Sequence, residues 1–276
     1  MTASGKRPRL GQNFLADRRA AEKIVDALGD VSQRLVVEIG PGKGVLTDLL
    51  VQRAGHVIAI ELDHVLGAQL RMKYSLRKNL EIIEGDVLGI QFGRLVGREN
   101  GTAGDTWVRN APKAQVIGNL PYYITSPILL HLFEQHEHIG QIVIMVQREV
   151  ADRIAAEPGG REYGLLSATA QLFAKVEKLF TLPPTAFAPP PKVHSTVLRL
   201  TIAPQAEKLG VDPRAFLDFL KVAFAQKRKT LLNNLRQRYD EDGAKKALAS
   251  ARLRPDVRAE AAELDKMAKV FRALPQ

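Results

Sequence analysis

An apolar run over residues 114–118, typical of a buried strand, is followed by Asn119, Leu120, Pro121 and Tyr122. The Asn119 amide oxygen and a backbone carbonyl held by the proline can both accept a hydrogen bond from an exocyclic amino group, such as that of adenine. These contacts favour a pyramidal nitrogen with a free lone pair, and Tyr122 can stack on the base. The stretch therefore predicts a site that activates an aromatic amine for attack on an electrophile.

A glycine-rich loop, Gly40-x-Gly42-x-Gly44, stands between a predicted strand and a predicted helix. Glycines at this place let the backbone approach a ligand closely, and the unpaired N–H groups at the helix start attract a carboxylate. A dinucleotide site would read G-x-G-x-x-G, but Val45 occupies the position of the third glycine. The spacing thus disfavours an NAD-dependent dehydrogenase, and a tight turn without a ligand is the structural alternative.

Two acidic residues end the next two predicted strands. Glu61 lies about twenty residues beyond the glycine loop, where a carboxylate can accept from both hydroxyls of a ribose. Asp63 competes for that contact. Asp86 ends the third strand, and its structural alternative is a cap for a turn or helix. Together with the loop and Asn119, these acids predict one ligand-binding site.

Composition limits the class of protein. With 276 residues, of which 45% are hydrophobic, the chain can bury one sizeable core and a small second module. A net charge of +10 favours a polyanionic partner such as RNA. The absence of cysteine excludes disulfides, thiolate metal sites and cysteine nucleophiles. No apolar run reaches the roughly 20 residues of a membrane span, and residues 1–9 lack the apolar part of a signal peptide, so we expect a cytoplasmic protein without a membrane partner.

Short β-rich runs alternate with helical patterns, which predicts an α/β fold with a mostly parallel sheet covered by helices on both faces. Strands are predicted over residues 35–40, 56–62, 80–85, 114–120, 141–147, 175–182 and 196–202. Helices are predicted over residues 45–52, 64–74, 127–133, 149–156 and 165–174. The segment 97–113 is rich in glycine, asparagine and charge, and we expect a surface loop there.

The composition changes after Pro204, where strand patterns end and helical patterns continue. We therefore predict two domains, residues 1–204 and 205–276, the second of them small and all-helical. Its first clear helix is expected to start at Asp212 and Pro213, an N-cap followed by a proline in the first turn.

The stretch from Lys221 to Tyr239 carries six basic residues and no acidic one. Because helices usually mix charge signs, this bias predicts a surface that contacts phosphates. A solvated basic helix is the structural alternative. The basic residues are Lys221, Lys227, Arg228, Lys229, Arg236 and Arg238.

At these motifs the chain resembles the ribosomal RNA adenine N6,N6-dimethyltransferases, and most closely the bacterial small-subunit members associated with kasugamycin resistance. The similarity covers nearly the whole chain. The matching stretches are residues 11–15, 38–44, 61–63, 85–86, 119–122, 187–193, 224–231 and 258–260.

The resemblance implies a Rossmann-like class I methyltransferase with a seven-stranded sheet, and S-adenosylmethionine as its cofactor. In that family an N-terminal segment folds over the cofactor and the glycine loop holds its methionine part. An acid binds the ribose, and an Asp with a neighbouring backbone amide binds the adenine. The implied cofactor residues are Gln12, Asn13, Leu15, Gly40, Gly42, Glu61, Leu62, Asp86, Val87 and Asn119.

The resemblance also implies how the target adenine is held. Asn119, Leu120, Pro121 and Tyr122 would surround the base, and Phe187 would stack on its other face. Phe187 lies in a proline-stiffened loop over residues 182–192, and its alternative role is that of a buried residue in a rigid connector. Tyr123 departs from the family, which commonly has Asn at this position.

The implied reaction is dimethylation of N6 of two adjacent adenines in the 3′-terminal hairpin of 16S rRNA, within the immature small ribosomal subunit. RNA contacts are expected from Lys221, Lys227, Arg228, Lys229 and Arg236. One alternative is a 23S rRNA adenine N6-methyltransferase of the macrolide-resistance type. Another is a non-catalytic ribosome-assembly factor that binds RNA. We expect a monomer.

We expect no metal. His131, His136 and His138 are close in sequence, but the stretch lacks a carboxylate ligand set typical of a metal site. Their spacing at the polar end of a predicted helix therefore does not predict a metal site.

Overall fold

Within the residues that the structure describes, seven strands form one mixed sheet. The structure is a computed structural model that describes residues 13–96, 113–121 and 124–275. In chain order the strands are β1 (Phe14–Leu15), β2 (Leu35–Ile39), β3 (His56–Glu61), β4 (Leu80–Glu84), β5 (Ala114–Asn119), β6 (Ile139–Gln147), β7 (Ala174–Leu182), β8 (Phe187–Ala188) and β9 (Ser195–Ile202). The predictions for Gln12, Tyr122, Tyr123 and residues 97–112 lie outside the described residues.

The sheet has the order β4-β3-β2-β5-β6-β9-β7. The first five strands of that order are parallel, and β9 runs antiparallel to both β6 and β7. The chain moves outward from β2 to β4 and then returns to add β5 on the other side of β2. The carboxyl ends of β2 and β5 therefore mark the switch point at which open α/β sheets bind ligands.

Helices cover both faces of the sheet. In the first part of the chain they are α1 (Arg18–Asp26), α2 (Thr47–Arg53), α3 (His64–Lys73), α4 (Phe92–Val96), α5 (Thr125–Glu134), α6 (Arg148–Ile154) and α7 (Leu165–Phe173). After the last strand come α8 (Ala206–Leu209), α9 (Pro213–Ala223), α10 (Leu231–Leu235), α11 (Glu241–Ser250) and α12 (Leu264–Ala273). The α/β class, the seven strands of the sheet and the helical C-terminal region predicted from the sequence are confirmed.

The core consists of two hydrophobic clusters, one on each face of the sheet. Alternate residues of β2 divide between them, with Leu35 and Val37 on one face and Val36 on the other. All five residues of this strand are buried, as expected for a parallel strand with helices on both sides. Helices α1 and α2 cover the face that contains Val36, whereas the C-terminal helices share the cluster of the opposite face.

The basic stretch after residue 220 is not one helix. Helix α9 ends at Ala223, and α10 begins only at Leu231. The buried Asn234 side chain donates to the carbonyls of Ala223 (2.7 Å) and Gln226 (3.3 Å), and the Thr230 hydroxyl accepts from the Asn233 amide. A side-chain acceptor at that place caps a new helix. The helix expected over this stretch is therefore interrupted, since the cations at positions 227–229 lie in a turn. A solvated basic surface stays the alternative to a phosphate contact.

Candidate active site

A cavity of about 270 Å³ opens at the carboxyl ends of the central parallel strands. Its walls come from the ends of β2, β3, β4 and β5 and from the N-terminal segment beside them. Most of the residues predicted for one site are thus brought together here. The predicted residues on its wall are Asn13, Leu15, Gly40, Gly42, Glu61, Leu62, Asp86, Val87, Asn119, Leu120 and Pro121.

The glycine loop needs glycine for both its backbone angles and its close contacts. Gly40 and Gly42 have φ values of +66° and +57°, in the left-handed region that other residues avoid. A Cβ atom on Gly42 would also lie 2.9 Å from the Phe14 ring. The Lys43 ammonium lies over that ring, 4.9 Å from its centroid. The loop therefore forms a cradle against the N-terminal segment.

Glu61 is almost fully buried and orders the backbone on two sides of the cavity. Its Oε2 accepts from the Gly42 amide at 2.9 Å, and its Oε1 accepts from the Asp63 amide at 3.0 Å. Each carboxylate oxygen keeps a second lone pair with which it can accept from a ligand hydroxyl. Asp63 instead caps α3, because its Oδ1 accepts from the Val65 amide at 2.8 Å. The geometry favours Glu61 over Asp63 for the ribose contact.

Asp86 combines the two roles considered from the sequence. Its Oδ1 accepts from the Leu88 amide at 2.9 Å and thereby caps a short 3-10 turn over residues 87–89. The residue also lies on the cavity wall and is exposed, and the buried Val87 follows it there. Capping fixes the carboxylate at the mouth of the cavity, where it can accept from an amino group.

The Asn119 side chain is oriented by the N-terminal segment. Its Nδ2 donates to the Asn13 carbonyl at 3.1 Å, and this assignment leaves Oδ1 as an acceptor at the cavity wall. The Pro121 carbonyl accepts from the Thr125 hydroxyl at 3.1 Å and from the Ile124 amide at 3.2 Å, while the Leu120 amide donates to the Met145 carbonyl at 3.1 Å. The backbone that follows Asn119 is therefore held by neighbouring elements before any ligand binds.

Phe187 lies beside the cavity rather than on its wall. It is 4% exposed and belongs to the hydrophobic cluster that α1 and α2 cover. In the antiparallel pair of β1 and β8 it is the register partner of Leu15, which does line the cavity. The structure thus connects Phe187 to the site through the N-terminal strand, and its stacking on a target base stays a prediction.

Glu38 is a candidate that sequence reasoning left without a role. This side chain is 1% exposed and lines the cavity, and the Thr47 hydroxyl donates to its Oε2 at 2.6 Å. Burial raises the pKa of Glu38 from 4.5 to about 8, opposed by the Thr47 hydrogen bond and assisted by the charges of Glu61 and Asp48. The signal was an acid inside the otherwise apolar strand β2, where a buried carboxyl needs a reason.

The five residues predicted to contact RNA are exposed and lie in the helical C-terminal region, away from the cavity wall. Three of them have partners within the protein. Lys221 pairs with Asp218 at 3.0 Å, and Arg236 pairs with Glu241 at 3.1 Å. The Lys227 ammonium donates to the backbone carbonyl of Arg161 at 3.0 Å.

Two of the three histidines, His131 and His136, have structural partners. His131 contacts the Ile90 carbonyl at 2.9 Å, and His136 contacts the Phe133 carbonyl at 2.9 Å. No cluster of side chains suited to a metal ion occurs among residues 13–96, 113–121 and 124–275. Over the same residues, no helix has the length and hydrophobicity required to cross a membrane.

Residues 3–276 match the profile of the family described as "Ribosomal RNA adenine dimethylase". The chain is 55% identical to "Ribosomal RNA small subunit methyltransferase A" of Koribacter versatilis, over 98% of this chain and 94% of that protein. It is 52% identical to the protein of the same name from Acidobacterium capsulatum, over 98% and 92% of the two chains.

Two solved structures share the fold over most of their length. A dimethyladenosine transferase from Plasmodium falciparum superposes with a TM-score of 0.74 at 25% identity, covering 93% of this chain and 95% of that one. The 23S rRNA methyltransferase ErmE superposes with a TM-score of 0.68 at 24% identity, covering 96% and 100%. Sequence and fold agree, and this chain belongs to the ribosomal RNA adenine dimethylase family.

Proposed function

We propose that this protein dimethylates N6 of two adjacent adenines in the 3′-terminal hairpin of 16S rRNA, using S-adenosylmethionine. The observation that carries the proposal is the placement of the Asn119 side chain. Its amide nitrogen donates to the Asn13 carbonyl, which leaves the amide oxygen as an acceptor at the wall of the cavity that the glycine loop also lines. The names of the two relatives above 50% identity support a small-subunit target. ErmE, the large-subunit enzyme, supports the fold alone.

The described residues fit the proposed cofactor. The left-handed glycines make a cradle that a Cβ atom would fill, and the buried Glu61 carboxylate stands next to it. Glu61 would bind the ribose, Asp86 and Val87 the adenine ring, and the loop amides the methionine carboxylate. When bound, the cofactor supplies a methyl group on an electrophilic sulfonium.

The protein's part in the reaction is to position and polarise the target amine. Asn119 Oδ1 accepts from the N6 amino group, which favours the pyramidal form whose lone pair can attack. The product nitrogen then loses its proton to water, so no dedicated base is required. Most of the rate enhancement comes from holding the reacting atoms in line. The adenine must leave its stack to reach the cavity, and Tyr122 and Phe187 would stack on the flipped base.

We further propose that the substrate is the immature small subunit, bound by a monomer of this protein. A cavity that holds one adenine cannot select a hairpin, so selection falls to a surface that contacts RNA backbone. The exposed cations Arg228 and Lys229 support this assignment. They belong to the helical region (residues 205–276), which we propose as a second domain.

Mapping of methylated adenines by mass spectrometry tests the proposed target. In rRNA from cells that lack this protein, we expect two adjacent adenines near the 3′ end of 16S rRNA to lose both methyl groups, and expression of the chain to restore them. Intact 16S methylation with lost methylation in 23S rRNA would support the macrolide-resistance type. Restoration by an Asn119→Ala variant would support a non-catalytic assembly factor.

A further inference from the structure

The cations of the basic segment (residues 221–238) differ in their surroundings. Lys221 and Arg236 form ion pairs with acidic residues of the same helical C-terminal region. Arg228 and Lys229 are exposed, and within the described ranges no acidic side chain pairs with either of them. The six charges that the sequence presents as one group are therefore not equivalent.

Lys227 joins the basic segment to the sheet domain. Its ammonium donates to the carbonyl of Arg161, in the junction loop (residues 155–164) between α6 and α7. The same loop makes a second hydrogen bond across the junction, from the Gly159 amide to the Glu260 carbonyl at 2.7 Å. Lys227 is thus part of the contact that holds the C-terminal helices against the loop.

An aromatic contact also joins the junction loop to the C-terminal helices. The rings of Tyr163 and Phe224 meet edge to face, with 6.0 Å between their centroids. Tyr163 is 1% exposed and comes from the junction loop, whereas Phe224 is the first residue after α9. Such a pair contributes about 0.5–1.5 kcal/mol beyond its buried area, so it helps to hold the start of the basic turn (residues 224–230) against the sheet domain.

The basic turn is also held by hydrogen bonds within the C-terminal region itself. The buried Asn234 amide donates to the carbonyls of Ala223 and Gln226, which stand directly before the cations. The Lys229 amide donates to the Gln226 carbonyl at 3.0 Å. The turn is therefore held at Lys227 and at its base, and the side chains of Arg228 and Lys229 project from a rigid backbone.

We propose that Lys227 is a positioning residue that holds the basic turn in its orientation relative to the active site, while Arg228 and Lys229 contact phosphates. This inference rests on the proposed function. Lys227 would lose its hydrogen bond to the Arg161 carbonyl if it moved to a phosphate, whereas Arg228 and Lys229 have no described acidic partner to give up. Neutralised phosphates release counterions, so the two roles differ in salt dependence.

The test compares Lys227→Met, Arg228→Met and Lys229→Met, with Lys246→Met on α11 as the control for loss of an exposed charge. Affinity for a synthetic RNA hairpin of the small-subunit 3′ end is measured over a salt series. We expect Arg228→Met and Lys229→Met each to lower the slope of log affinity against log salt by about 0.7–0.9. Lys227→Met should leave the slope unchanged and weaken binding about fivefold at every salt concentration. Lys227→Arg, which keeps a donor for the Arg161 carbonyl, should restore affinity.

Hydrogen exchange on the RNA-free protein gives a second measurement. Loss of the Lys227 contact should speed exchange of the Gly159 amide, with no change at Gly40 in the distant glycine loop. A slope reduced in Lys227→Met as much as in Arg228→Met would overturn the positioning role, and so would unchanged affinity or unchanged exchange. Unchanged slopes in both Arg228→Met and Lys229→Met would instead overturn the proposed RNA surface, whatever the exchange experiment finds at the junction.

Discussion

At the scale of single residues, the site is held together by side chains that bind backbone before they bind any ligand. Glu61 accepts from the amides of Gly42 and Asp63, and Asn119 donates to the Asn13 carbonyl. Such contacts fix the side chains in place, so less conformational entropy is lost when a ligand arrives. The cavity is thereby organised in advance for its proposed cofactor and target base.

Glu61→Gln should weaken S-adenosylmethionine binding by about 1.5–3 kcal/mol, because the charged acceptor of two ribose hydroxyls is lost. The new amide also turns a donor toward one of the two backbone N–H groups that Glu61 now satisfies. Calorimetric titration measures the effect. Asp63→Ala is the matched control, since loss of the α3 cap should lower stability by about 1 kcal/mol and leave cofactor affinity unchanged. Equal losses of affinity in both variants would move the ribose contact away from Glu61.

Glu38→Gln should change how stability depends on pH. The pKa of Glu38 rises from 4.5 to about 8 on folding, so between these values the folded protein holds a proton that the unfolded chain has released. This group therefore makes the folded state less stable as the pH rises from about 4.5 to about 8, by on the order of 4–5 kcal/mol in total.

Urea unfolding at about pH 5.5, inside the lower part of that window, and at about pH 8.5, just above its upper end, measures the difference. The parent should lose more stability than Glu38→Gln between the two conditions. Glu22→Gln, at a partly exposed position of α1, should behave like the parent. Identical losses in the parent and Glu38→Gln would mean that Glu38 is already ionised in the fold.

At the scale of elements, the sequence predicts the strands and helices that have a periodic hydrophobic pattern. It does not predict elements that form only by pairing with residues distant in the chain. The buried parallel strands and the helices between them were predicted because their apolar patterns are long enough to read. The pair of β1 and β8 could not be, since a two-residue strand has no pattern and its partner lies at the far end of the sheet domain. This pairing also accompanies the burial of Phe187, which the sequence analysis gave only as the alternative to a stacking role.

The break between α9 and α10 was also not predicted. Polar residues at the turn are compatible with a helix, and only the buried Asn234 and its two carbonyl acceptors show why the chain turns there. At the site, the glycine spacing and the acids were readable because they lie at strand ends. The hydrogen bonds of the two Glu61 oxygens to the Gly42 and Asp63 amides could be assigned only from the folded structure.

Gly42→Ala tests the contact between the glycine loop and the N-terminal strand. We expect a loss of about 1–3 kcal/mol in stability and at least about tenfold weaker cofactor binding, because alanine is strained at φ +57° and its Cβ atom meets the Phe14 ring. Adding Phe14→Ala should restore part of the loss, since it removes the collision but not the backbone strain. Gly89→Ala, with nothing near its Cβ position, is the control. Strict additivity of the two changes would contradict the contact.

At the scale of the whole molecule, the two proposed domains share one hydrophobic cluster. It extends from strand residues such as Leu35 and Val37 to Phe216, Phe219 and Leu220 of α9 and to Phe271 of α12. The rings of Phe216, Phe219 and Phe271 lie with 5.4–5.7 Å between neighbouring centroids. A continuous core therefore couples the C-terminal helices to the sheet.

Leu220→Ala should therefore destabilise both parts together. Loss of a fully buried leucine costs about 2–5 kcal/mol, and a shared core predicts a single unfolding transition. Hydrogen exchange should show the slowest amides of β5 and of α9 losing protection by the same amount. Two separate transitions, with β5 unaffected, would show that the helices unfold as an independent unit. Lys246→Met serves as a surface control that should leave both unchanged.

The most direct measurement of the central claim is single-turnover methyl transfer to immature small subunits by the parent and by Asn119→Ala, with S-adenosylmethionine affinity measured on the same preparations. We expect the parent to form dimethyladenosine at two adjacent positions near the 3′ end of 16S rRNA. Asn119→Ala should transfer methyl groups at least about a hundredfold more slowly, because removal of one group that polarises the reacting atoms typically lowers the rate by that factor. Its affinity for the cofactor should stay within about tenfold of the parent's. Near-parental turnover in Asn119→Ala would contradict the assignment of Asn119 as the acceptor that activates the target amine.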